Sequence, residues 1–263
     1  MTTQKLNSFS NRERMIEVAK RIAERERQER EELERKAKET PQTQTDIYPV
    51  NINSTIDYWE IDGVKYRGKD CTVRLAKALL DNGIKKTQDD WAEYSIKARE
   101  RGDFYVADMP LHHATFYALS KLDTDESQEA REFVKNQMRA KYLMTLTRIN
   151  YNPTGKDNVI HNYKIPNEQY QIDTDFVGKD GFISKVSPKD YLEYILGTQN
   201  VNEIDAVYQK INQTPAYILR LNSKPKNKDE CVAGFYANSG WAALYCSGGP
   251  GSSSASLGVF ASY

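Results

Sequence analysis

Apolar residues recur along this chain with two rhythms, and each predicts a different kind of element. Near the start, Met15, Val18, Ala19, Ile22 and Ala23 fall on one face at helical spacing behind a Ser10 or Asn11 cap. Beyond Ala23 the stripe fails until Leu33, and Arg/Glu pairs three and four residues apart take over. Such a helix is too sparsely apolar to sustain a long coiled coil. The polar run over residues 40–45 reads as a linker. Residues 1–45 are therefore expected to form a charged helix and linker, and residues 46–263 the body.

Within the body the two rhythms alternate. Residues 58–61 and 64–66 flank Asp62-Gly63, which predicts a tight hairpin. Thr72 is placed to cap a helix through Leu75, Leu79 and Leu80 that stops at Asn82-Gly83. Further helices are expected over residues 91–101, from Asp108 and Pro110 through Leu122, and over residues 127–141. Residues 142–151 read as a strand, and the polar stretch to Gly181 as loop-rich. Ser187-Pro188 is expected to cap a helix carrying Tyr191, Leu192 and Ile195, with another over residues 202–212. Strands are expected over residues 216–221, 231–236, 241–246 and 257–261. The fold class is α+β, with a β-rich C-terminal third.

Charge narrows the partners. Lys plus Arg and Asp plus Glu number 37 each, so no net field draws the chain to nucleic acid or to a membrane. The basic run over residues 223–229 has no interleaved aromatics and reads as an exposed turn. No stretch approaches the ~20 apolar residues of a membrane span. The first residues, MTTQKLNSF, lack the apolar region of a signal peptide, which places the chain in the cytoplasm by default, with display on a cell or virion still open.

Candidate chemistry is sparse. Cys71, Cys231 and Cys246 have no short spacing, which excludes a disulfide framework or a zinc site; buried free thiols are expected, with a Cys231–Cys246 bridge across neighbouring strands as the alternative. His112 and His113 are neighbours and, on a helix, point about 100° apart. One is expected to pack inward and the other to face water, with no metal and no cofactor. Gly248-Gly249-Pro250-Gly251 lacks the Lys and the following helix of a phosphate loop. There is no Gly-x-Ser-x-Gly elbow.

The C-terminal stretch, residues 232–263, stands apart. It holds no charged residue in a chain that is 28% charged. Phe235, Trp241, Leu244, Leu257, Val259 and Phe260 are spaced well enough for strands, which argues against a flexible Gly/Ser tail. The residues between them are Tyr, Asn, Ser, Ala and Gly. All are reachable when an AAC or AAT codon is randomised at its adenines, a scheme in which Ser is the commonest product. Trp, Lys, Glu, Gln and Met cannot arise that way.

GFYANSGWAALYCSGGPGSSSASLGVF resembles the variable proteins of diversity-generating retroelements, especially the archaeal type. The likeness covers about the last eighth of the chain, and Phe260 stands where family members often carry Arg. It implies a C-type lectin-like fold with a hypervariable ligand-binding surface near the C-terminus, about residues 232–260, preceded here by the N-terminal helix. It further implies a non-enzymatic protein whose ligand is generally another protein, rewritten by adenine-directed mutagenesis. The positions expected to vary are Tyr236, Asn238, Ser239, Ala242, Tyr245, Ser247, Gly248, Gly249, Gly251, Ser252, Ser253 and Ser254. Trp241, Leu244, Leu257, Gly258 and Val259 are expected as fixed scaffold, with Trp241 packed under the surface. Ligand binding is expected to be independent of calcium, since no acidic cluster lies near the tail. Two alternatives stand beside this reading: an enzyme on a formylglycine-generating-type scaffold, and an adaptor acting through the N-terminal helix.

Overall fold

The strand that closes the chain pairs beside the strands that open the body, and everything between is a long excursion from that base. The computed structural model describes residues 50–186 and 190–263. The expected N-terminal helix and linker, and the Ser187-Pro188 cap, lie outside the described residues. A four-stranded sheet has the order β1 (Asn51–Ser54), β2 (Tyr58–Tyr66), β3 (Lys69–Leu79) and β11 (Leu257–Ser262), all antiparallel.

Two expectations fail in this sheet. Asp62-Gly63 does not turn the chain. β2 runs straight through it, and the register with β3 shifts between Ile61 and Val64. Trp59 and Ile61 point inward before the bulge, Val64 and Tyr66 after it, so the extra residue resets the alternation. Gly63 takes φ 73°, which bulge and hairpin alike can demand. The hairpin comes later, at Arg67-Gly68, where both residues have positive φ. The second failure is the helix expected from Thr72. Cys71, Val73 and Leu75 are buried in alternation on a strand, and helical geometry appears only as a short 3-10 turn over Leu80–Gly83.

The helices follow their caps. In α1 (Gln88–Arg101), Thr87 and Asp90 form a reciprocal capping box, and Gly102 closes the helix with φ 71°. Asp108 caps α2 (Met109–Lys121) by accepting from the Leu111 N–H, with Pro110 in the first turn. Thr124 caps α3 (Asp125–Ala140). After the sheet residues come α4 (Tyr191–Leu196), closed by Gly197, and α5 (Val201–Asn212). Phe116 and Leu119 of α2, Val134 and Met138 of α3, and Ile204 and Tyr208 of α5 are all buried.

The second sheet has seven strands in the order β6 (Tyr170–Thr174), β5 (Asp157–His161), β4 (Leu143–Tyr151), β9 (Asp229–Ala237), β10 (Ala242–Gly248), β8 (Ala216–Leu219) and β7 (Gly181–Phe182). Every residue of β4 is buried, as suits an interior strand covered on both faces. β5 and β6 occupy the polar stretch expected to be loop-rich. β10 pairs antiparallel with β9 and parallel with β8. That arrangement brings residues remote in sequence onto the face carrying the tail.

Candidate ligand-binding surface

Register decides which tail residues reach water. Leu244 lies beside Ile218 and Phe235, all three fully buried. The next residue, Tyr245, lies beside Leu219 and Gly234 and turns to the opposite face. Ala243 shares that outer face with Tyr217 and Tyr236. Trp241, in the hairpin just before β10, stacks on Tyr217 with centroids 5.3 Å apart and meets Tyr236 at 5.9 Å. Tyr245 meets Tyr142 edge-on at 5.2 Å.

Tyr142 is the pivot of this face. Its hydroxyl donates to the Val232 carbonyl at 3.1 Å, and burial drives its phenol well above the ordinary range. The ring lies across two glycines. A Cβ on Gly234 would stand 2.5 Å from the ring and 2.4 Å from the Leu143 carbonyl. One on Gly248 would stand 2.9 Å from the Val232 carbonyl and 3.1 Å from the Tyr142 hydroxyl. Neither position has room for a side chain.

Beyond β10 the chain turns over Pro250 and Gly251, closed by the Ser252 N–H donating to the Gly249 carbonyl at 3.0 Å. It is then held almost entirely through main-chain atoms. Ser254 exchanges two backbone hydrogen bonds with Lys86, and its carbonyl also accepts from the Trp91 indole at 2.7 Å. The Met144 N–H donates to the Ala255 carbonyl, and the buried Ser256 hydroxyl donates to the Met144 carbonyl. A Cβ on Gly249 would meet only the Ser252 hydroxyl at 3.4 Å, and one on Gly251 would meet nothing within 4 Å.

Tyr142, Leu219, Tyr236, Trp241, Tyr245, Gly248, Gly249, Ser252 and Ser254 together line an open concavity of about 400 Å³, without a charged side chain. Six of those nine were expected to vary, so one surface gathers them. Ser239, Gly249, Gly251, Ser252 and Ser253 are exposed, while Tyr236, Asn238, Tyr245, Ser247, Gly248 and Ser254 are half-buried. Leu244, Leu257, Gly258 and Val259 are buried, and a Cβ on Gly258 would stand 2.7 Å from Leu80.

Four tail positions depart from expectation. Ala242 is fully buried between Ala216 and Ala237, so it belongs to the core. Gly248 is closed by Tyr142 and the Val232 carbonyl. The Asn238 carboxamide oxygen accepts from the backbone of Gly240 and Trp241 at 2.8 and 3.0 Å, so it builds the β9–β10 turn. Trp241 is not packed beneath the surface; its ring is part of it. Sequence reasoning missed Tyr142, Tyr217 and Leu219. The one signal was the alternation of Tyr217 and Leu219 with Ala216 and Ile218, which fixes a face but not its partner strand.

Elsewhere the histidines and cysteines are packed into the core. His112 and His113 are both buried, contrary to the expectation that one would face water. His112 packs against Phe116 and Phe235, and His113 stacks on Tyr208. Burial pushes their pKa values down to about 3 and about 4. His161 is buried between the Thr147 hydroxyl and the Tyr194 carbonyl, and burial lowers its pKa as well. All three cysteines are free and buried, and burial pushes Cys71 up to about 11 and Cys231 up to about 12. Among the described residues no group of three or more His, Cys, Asp or Glu side chains could hold a metal ion. No helix among them is long and apolar enough to cross a membrane.

No family model, curated protein or solved structure matches this chain.

Proposed function

We propose that the protein is a non-enzymatic ligand-binding protein of the diversity-generating retroelement class, with a C-type lectin-like fold and a C-terminal surface diversified at adenines. Its ligand is a protein. The observation that carries this reading is the segregation of the tail. Nine positions expected to vary, namely Tyr236, Ser239, Tyr245, Ser247, Gly249, Gly251, Ser252, Ser253 and Ser254, reach the surface. None of their side chains forms a hydrogen bond among the described residues. Meanwhile the backbone that carries them is tied to Lys86, Met144 and Trp91. A surface meant to change its side chains needs its shape fixed by groups that do not change.

One further feature supports the lectin-like assignment: β11 returns to pair with β3, after α1, α2, α3 and the second sheet. The cysteines disfavour the enzyme alternative. A thiol nucleophile acts as the thiolate, and thiols raised this far remain protonated near neutrality. The decisive test is the DNA beside the gene. A reverse-transcriptase gene, and a near-copy of the codons for residues 232–260 differing only at adenines, are expected there. A flanking region with neither would defeat the proposal.

A further inference from the structure

The walls of the concavity narrow what the tail surface takes, provided that surface is the ligand site. Trp241, Tyr236 and Tyr217 form one aromatic wall and Tyr142 with Tyr245 the other. Ala243 and Leu219 lie between them in the sheet register. The Trp241 indole N–H and the Tyr236 and Tyr245 hydroxyls have no hydrogen-bond partner among the described residues. An indole N–H can only donate, and a free phenol donates readily.

We propose that this concavity binds a proline-rich, extended segment of a partner protein. Such a segment offers what the walls lack. Its carbonyls are solvated and accept hydrogen bonds, and each proline has no N–H needing an acceptor. Compact pyrrolidine rings pack against aromatic side chains, and the chain is already extended, so little ordering entropy is lost. The uncharged lining complements an uncharged segment. A carbohydrate is a poorer fit, because each sugar hydroxyl donates as well as accepts and the lining has no carboxylate or amide side chain.

The test is calorimetric titration of the full chain with a hexaproline peptide blocked at both ends, beside a Gly/Ser peptide of equal length. Saturable binding of hexaproline alone is expected, with a change in tryptophan emission. Trp59 and Trp91 are buried, so that change reports Trp241. Trp241→Ala and, separately, Tyr245→Ala are each expected to weaken binding roughly 30-fold, the loss typical of an aromatic anchor. Absence of saturable binding, or binding that both variants leave intact, overturns the inference. Binding of a maltose oligomer at the same two residues would also overturn it, yet leave the surface as the ligand site. If Ser252 and Gly251 prove intolerant of exchange, the surface reading itself fails.

Discussion

Putting the same residue into two neighbouring stretches of the tail separates its open positions from its closed ones. Asn is reachable from the degenerate codon and carries two polar groups. At Ser252 it replaces an exposed side chain, and the change is expected to stay within about 0.5 kcal/mol. At Ala242 the same Asn enters a site with 0% exposure between Ala216 and Ala237. Overpacking there costs about 1–3 kcal/mol. Burying a carboxamide without partners costs a further 1–3 kcal/mol or so. The sum is about 4 kcal/mol. In a chain of this size one kcal/mol moves the melting midpoint by about 2–4 °C. Ala242→Asn is therefore expected to lower it by roughly 8–16 °C, and Ser252→Asn by no more than about 2 °C. Thermal melts followed by circular dichroism at neutral pH measure both. Equal effects at the two sites, in either direction, would refute the reasoning.

Other expectations concern the body and its environment. Gly234→Ala is expected to cost about 1–3 kcal/mol in urea melts, because the new Cβ meets the Leu143 carbonyl at 2.4 Å; a neutral result would mean that Tyr142 does not seal this face. For His112 and His113 the folded pKa lies below the unfolded value, so their contribution is complete above about pH 6.5 and is lost as pH falls toward 4 and 3. Holding one ring neutral at pH 5 costs about 2 kcal/mol. These two rings should thus account for a fall of about 4 kcal/mol between pH 8 and pH 5, with His161 adding in the same direction, and His112→Phe should remove about 2 kcal/mol of it; a flat profile would show the rings to be hydrated. A chelator is expected to change neither the melting midpoint nor ligand binding, and a drop in either would reveal a required cation.

The sequence revealed much of the fold wherever a local rule had only one solution. Asp108 and Pro110 open a helix as expected, whereas the helices expected from residues 91 and 127 start a few residues earlier, behind the caps Thr87 and Thr124. It misled where two structures share one requirement. Asp62-Gly63 suits a hairpin, but the same positive φ at Gly63 serves a bulge. Leu75 and Leu79 sit four residues apart, which fits a helix, while the burial of Cys71, Val73 and Leu75 fits a strand. β5 and β6 escaped notice because each is only five residues long and polar residues such as Asp157, Asn158, Gln171 and Asp173 dilute their apolar pattern. In the tail, composition pointed to the surface but not to its exceptions. Ala242 and Gly248 are closed by residues such as Ala216 and Tyr142, brought alongside only by strand pairing that no local pattern encodes.

Because β11 completes the first sheet, the uncharged stretch that lines the concavity is followed by residues the fold needs. Leu257 and Val259 are buried against β3 and Tyr105. A mutation that shifts the reading frame within residues 236–254 would replace that strand and strip the edge of β3. The product would fail to fold instead of displaying a damaged surface. In-frame translation through β11 is thus a condition of folding.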